Sequence, residues 1–313
     1  MAKAVKAAII IAGIATGVGL ALGLAGVATA TFTIGSFALT GASAYFATAF
    51  VTNLVLGAVS GALSKSSSTS GGVPSAIVSG RNPVAPHSII YGRTRVGGNI
   101  IYMEGTDENK YLHIVMVLAG HEIDAIEKIY FNDQEILFDG NGAVSAGNYA
   151  GKVRIKYKLG DTSQTAFSDL VAESAGKWTS NHRLRGRPAV YIRLEFDQDK
   201  FSTGVPNITC LVRGKKVFNP ITNTTIWSQN PALCLNDYLT SSQYGLGCDY
   251  ATEIDVAALI SSANICDENI NLVAGGSEHT YELNGAISTS STPESIINSM
   301  LTSMIGSAVW SGG

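Results

Sequence analysis

The side chains with most chemistry to offer are five histidines, four cysteines and a short run of arginines. His87, His113, His121, His182 and His279 are scattered over what read as strands and loops. His113 and His121 flank one apolar stretch and read as core or edge residues, not as ligands. Cys210, Cys234, Cys248 and Cys266 include no CxxC pair, and no histidine stands at zinc-ligand spacing from them. They read as reduced, half-buried residues of a protein folded in a reducing cytoplasm, although spacing also permits a Cys234–Cys248 disulfide. Arg183, Arg185 and Arg187, with His182, sit just before a strand; they suit contact with DNA or a neighbouring subunit's carboxylates, or a plain solvated loop. Asp197 and Asp199 read as turn residues. GxSxG, HExxH, GxGxxG, P-loop and EF-hand patterns are all missing. Nothing assembles a general acid, a base and an orienting partner. The expectation is a non-enzymatic protein with no catalytic, cofactor-binding or metal-binding residue, and no cofactor.

The elements that would position these residues change character along the chain. Residues 73–218 alternate in the manner of short strands. Ser88–Gly92 and Gly98–Met103 predict two strands around a Gly97-Gly98 turn, and Tyr111–Ala119 a strongly apolar strand. Ile126–Phe131, a turn at Asn132-Asp133 and Glu135–Phe138 predict a further pair. Val153–Leu159 and Ala189–Phe196 alternate apolar with charged residues, which puts Arg193 and Glu195 on an outer face. Ile208–Phe218 closes the set. Short, evenly spaced strands point to barrels or sandwiches, not to a βαβ sheet.

Residues 219–313 mix helix and strand. Asn230 before Pro231 is an N-cap followed by a residue suited to the first helical turn, predicting a helix through Leu239. Asp255–Ile265 and Thr292–Met304 predict two more helices. Glu278–Leu283 resembles a strand, and Ala308-Val309-Trp310 reads as a strand cut short by the last residues. That ending suggests the N-terminal part of a longer polypeptide.

Residues 1–64 differ from all of this. After Lys6 no charged residue or histidine appears until Lys65. The length admits two apolar helices, Ile9–Ala30 and Ala42–Leu63, with Thr31–Gly41 as the turn between them. Gly13, Gly17, Gly19, Gly23 and Gly26 would let such helices approach closely. A secretory signal, a constitutive membrane anchor and a segment sheltered in an assembly for later insertion all remain open. Residues 65–72, rich in Ser and Gly, are a linker. The formal charge of −3 and charged fraction of 14% exclude a general electrostatic hold on nucleic acid and suit surfaces buried against other subunits.

One set of residues resembles a known family. Leu211-Val212-Arg213-Gly214-Lys215-Lys216-Val217 leads to Trp227, then Asn230-Pro231-Ala232, then Leu239-Thr240 and Tyr244-Gly245-Leu246-Gly247. The order and spacing are similar to the central tail hub, or tip attachment protein J, family of lambda-like long-tailed bacteriophages. Cys266-Asp267, the helix Ile296–Met304 and Val309-Trp310 extend the resemblance; Arg193–Phe196, Phe201 and Gly204 fit it more loosely. It covers about residues 187–313.

The resemblance implies a mainly β (α+β) fold: tail-tube-like β-barrel hub domains, a small helical C-terminal portion, and here an added N-terminal apolar helical segment. It implies a homotrimer forming a pseudo-hexameric ring, with distal tail, tail-tip and fibre proteins as partners and phage DNA passing through the lumen without sequence recognition. The location implied is the virion tail tip, after assembly in the host cytoplasm. The apolar N-terminus departs from the family pattern; three copies could bundle there and act on the host membrane during ejection. A membrane-anchored injection or secretion-machine hub, or a pore-forming protein, is the alternative expectation.

Overall fold

The computed structural model describes residues 31–34, 37–40, 79–82, 84–202 and 204–309. Two four-stranded antiparallel sheets form its centre. The first has the order β5 (Asn99–Thr106), β6 (Tyr111–Val117), β10 (Ala189–Glu195), β9 (Val153–Lys158). The second has the order β4 (Arg93–Gly97), β11 (Ile208–Arg213), β7 (Ala125–Phe131), β8 (Gln134–Glu135). Alternation selects which side chains meet between them. Ile114, Met116, Ile155, Val190, Ile192 and Leu194 of the first sheet share one apolar core with Val96, Ile129, Phe131, Ile208, Cys210 and Val212 of the second.

The chain is mainly β with few helices, and no closed barrel forms among the described residues. One sheet edge is finished locally. Residues 142–144 cover the outer edge of β9: Ile155 N–H donates to the Gly142 carbonyl at 2.8 Å, and Val144 N–H to the Val153 carbonyl at 3.1 Å. Gly97-Gly98 is also not a hairpin turn. β4 belongs to the second sheet and β5 to the first, so this pair is the corner where the chain changes sheets. β3 (Ser88–Tyr91) pairs with β16 (Gly285–Ser288) instead.

The face of the first sheet turned away from the second is covered. Helix α1 (Ser168–Glu173), which the sequence pattern did not suggest, brings Phe167, Leu170 and Trp178 onto Val115, Ala189 and Tyr191. Arg193 therefore lies under a third layer; Glu195 pairs with Lys152 at 3.0 Å. At the turn Asn132-Asp133 both residues take positive φ (46° and 68°), as a tight hairpin requires.

The C-terminal part packs helices α2 (Pro231–Thr240), α3 (Val256–Cys266) and α4 (Pro293–Thr302) around Leu233, Tyr238, Ala263, Ile296 and Met300, against Ile89, Tyr91 and Val217. The hairpins β12 (Lys216–Asn219)–β13 (Thr224–Trp227) and β14 (Asn269–Asn271)–β15 (Ser277–His279) flank this core. The expected strand Glu278–Leu283 forms only at its start, where Glu278 and His279 belong to β15, and stops there. Its N–H groups go elsewhere: Thr280 to the Glu268 carbonyl, Tyr281 to Cys266 and Leu283 to Gln229. Ala308 and Val309 are in no strand.

Thr31–Ile34 (β1) and Phe37–Thr40 (β2) pair antiparallel, within the stretch expected to be a turn. The two expected apolar helices and the linker 65–72 lie outside the described residues. No described helix is long and apolar enough to cross a membrane.

All four thiols are free, with Cys210, Cys234 and Cys266 buried and Cys248 partly exposed. Burial pushes the Cys210 thiol up to about 12. Iodoacetamide at mildly alkaline pH is expected to label Cys248 alone in the native protein and all four thiols after unfolding. Native labelling of Cys210 or Cys234, read by mass spectrometry, would contradict this packing.

Candidate functional site

The resemblance-bearing residues converge on one joint between the sheets and the C-terminal helices. β11 ends at Arg213, and β12 starts at Lys216. Between them the chain presses against β3: Gly214 N–H donates to the Gly92 carbonyl and Lys215 N–H to the Ile90 carbonyl, each at 2.8 Å. A Cβ at Gly214 would run into the Ile90 carbonyl, so only glycine permits this approach. Arg213 turns outward, bonded to Asp124 at 2.6 Å, with its guanidinium 5.0 Å from the Trp227 ring. Trp227 in turn donates Nε1–H to the Gly92 carbonyl at 3.1 Å.

Lys215 turns inward. Its Nζ bonds Asp237 Oδ1 and Oδ2 at 2.8 and 3.0 Å and also reaches the Tyr244 hydroxyl. Tyr91 and Tyr244 each donate to Asp237 Oδ2 at 2.6 Å. Burial, with the Asp237 carboxylate beside it, pushes the Tyr91 phenol well above its ordinary value. Burial opposes the Lys215 charge, but Asp237 outweighs it and holds the ammonium above its usual range. One carboxylate thus accepts from an ammonium and two protonated phenols. Shared by three donors from three parts of the chain, the carboxylate is a pin.

Two further motifs finish helix α2. Asn230 Oδ1 accepts from Ala232 N–H at 3.0 Å and Leu233 N–H at 3.3 Å, while its Nδ2 donates to the Ala263 carbonyl of α3 at 2.9 Å. After the helix, Tyr244-Gly245-Leu246-Gly247 folds back. Gly245, Leu246 and Cys248 N–H groups satisfy the Ser241, Tyr238 and Leu239 carbonyls. A Cβ at Gly245 would collide with the Tyr238 carbonyl.

The histidines and arginines read from the sequence do not form one site. His113 is fully buried and bonds Thr106 Oγ1 at 2.8 Å and Tyr191 Oη at 2.9 Å. Beside it Glu173 binds Arg154 at 2.6 Å and Arg193 at 3.3 Å, a network tying α1 to the sheet. His121 accepts the Ile90 N–H on Nε2 at 2.9 Å and donates Nδ1–H to the Glu122 carbonyl at 2.6 Å. Burial lowers it to about 4. His182 stacks on Trp178 at 4.7 Å. Gln164 Nε2 gathers the carbonyls of Arg183, Leu184 and Arg187, which leaves the Arg183 and Arg185 side chains exposed. No group of three or more His, Cys, Asp or Glu suited to a metal ion occurs among the described residues. Sequence reasoning missed Tyr91 and Asp237 at the Lys215 joint, and His121 beside them. Nothing local marks residues brought together from as far as 146 positions apart.

The class this geometry defines is a two-sheet β protein pinned to a helical layer through a strand-break motif. No established family profile matches the chain. Over 176 residues it is 24% identical to the tip attachment protein J of Escherichia phage SECphi27; the match takes in 51% of this chain and 15% of that protein. Among solved structures, a chain of the virion of a native gene transfer agent particle superposes with a TM-score of 0.34 at 18% identity, covering 52% of this chain and 38% of that one.

Asn230→Ala removes the cap and one of the two donors to the Ala263 carbonyl, which keeps the Asp267 N–H. Chemical denaturation is expected to show a loss of about 2–3 kcal/mol; a loss under about 0.5 kcal/mol would mean that the cap is dispensable. His121 is neutral when folded, with its value depressed to about 4 against about 6.5 when unfolded. Its contribution is complete above about 6.5 and is lost as pH falls towards 4. The thermal midpoint should drop over that window, and more shallowly in His121→Gln; equal slopes would contradict the assignment.

Proposed function

We propose that this chain is a structural, non-enzymatic subunit of a phage tail tip. The observation that carries the proposal is the match to a tip attachment protein, together with the convergence of the resembling residues on one joint. Arg213, Lys215, Trp227, Asn230, Tyr244 and Gly245 all act on backbone position or on Asp237 and its neighbours, a use that suits a load-transmitting part. In this reading three copies form a hub ring at the distal end of the tail tube, contacting distal tail, tip and fibre proteins. The lumen passes DNA by shape, with no base reading. Residues 1–64 act on the host membrane during ejection.

The test is the mass of the assembled full chain in mild detergent, followed by immunogold labelling of particles that carry it. A species of three 32.7 kDa chains and gold at the tail end opposite the capsid are expected. A monomer, or label on the capsid, would sink the reading. For the membrane part, a peptide of residues 1–64 should release dye from liposomes; an inert peptide removes that role.

A further inference from the structure

Charge is divided unevenly along this chain. No Lys or Arg follows Lys216, whereas nine Asp and Glu do, a net charge of −9 on residues 217–313. Asp237 is engaged by Lys215. The other eight are exposed, and none forms an ion pair among the described residues. Residues 153–193 show the converse: eight Lys and Arg against three acids, a net charge of +5. Two of those acids, Asp169 and Glu173, are taken up by Arg154 and Arg193. Lys156, Lys158, Arg183, Arg185 and Arg187 make no ion pair among the described residues.

The acidic surface also carries apolar area. The β14–β15 hairpin has Ile270, Leu272 and Val273 exposed, with Val273 fully so at its tip, and Ile265 of α3 is 51% exposed nearby. Asp267, Glu268 and Glu278 rim these residues; Ile270 stands opposite Glu278 in the hairpin register. On the basic side, Lys156 and Lys158 of β9 share the sheet face turned to the α1 layer, where Lys158 lies 5.6 Å from the Phe167 ring and bonds Thr165. On the hairpin, an apolar centre inside a rim of one charge sign is the anatomy of a protein–protein interface, and the basic side offers the complementary charge.

We propose that the acidic β14–β15 hairpin of one copy docks on the basic surface of a second copy, formed by β9 and the Gln164-anchored loop Arg183–Arg187. The two surfaces differ, so the contact runs head to tail, the type that closes a ring when the rotation per copy allows. A second copy is favoured over nucleic acid, because the same chain carries a −9 layer that repels phosphate. It also brings the matching charge at equal concentration. The inference rests on the reading of the chain as an assembling subunit and names the surfaces that meet.

The test uses the full chain in nonionic detergent, by sedimentation velocity at about 0.05 M and about 0.5 M salt. Self-association should weaken by about tenfold or more at the higher salt. The double variants Asp267→Lys with Glu268→Lys, and Arg183→Glu with Arg185→Glu, should each lose association by about tenfold or more at low salt. An equimolar mixture should regain pairwise association as mixed dimers, in which a reversed surface again meets its match, although a closed ring of three would keep one mismatched contact. Circular dichroism melts should equal wild type, as all four sites are exposed. If a reversal variant melts early, Asp267→Asn with Glu268→Gln replaces it, and an unchanged salt dependence overturns the contact. Association untouched by either reversal, or the absence of mixed dimers on mixing, overturns the pairing of these faces and leaves the subunit reading standing. A chain that is monomeric at low salt overturns both.

Discussion

The structure depends on where β11 stops. A strand buried in the second sheet has to hand the chain over to a helical layer without leaving backbone groups or a charge unpartnered. Gly214 makes the handover possible by letting the backbone close onto Ile90. Lys215 then carries a positive charge into a largely apolar boundary, which would be costly alone. Asp237 and two phenols offset that cost with short hydrogen bonds. His121 completes the arrangement from the other side, supplying the acceptor that β3 needs at Ile90 N–H. The sheets and helices are therefore joined by directed polar contacts, and such contacts fix one relative orientation where apolar packing alone would admit several.

That organisation explains why the resembling residues look as they do. Each is a type with a narrow geometric role. A glycine allows close approach, an asparagine caps one helix while bonding another, and a tryptophan offers a single N–H. Position is what these residues hold. The third layer, α1 with its Glu173–Arg154–Arg193 network, serves the first sheet in the same way. It turns an outer face that alternation alone would leave wet into a supported one.

Much of the β architecture was legible because alternation is a local signal. Val153–Lys158 and Ala189–Glu195 appear as strands where the pattern placed them, Asn230 caps its helix as its type suggested, and the other two expected helices begin one residue after Asp255 and Thr292. What alternation does not encode is which sheet a strand joins. Gly97-Gly98 looked like a hairpin turn because two glycines between strands often are one; here they mark a change of sheet. The difference between a barrel and two open sheets was hidden for the same reason, since it lies in which strands pair across the sheet edges. Helix α1, six residues long, has too few turns to show a period. At the joint, Arg213–Lys216 was visible as a motif, but its partners Tyr91, His121 and Asp237 come from distant positions and carry no local mark.

The central claim is that Lys215 and Asp237 act as one coupled pin between the sheets and the helical layer. A double-mutant cycle with Lys215→Met and Asp237→Leu, read by chemical denaturation of the full chain, tests it most directly. The account predicts that each single change destabilises strongly and that the double change costs well under their sum, with a coupling above about 1 kcal/mol. Additivity within about 0.5 kcal/mol would show that the two side chains do not support each other, and the joint would have to be explained without them.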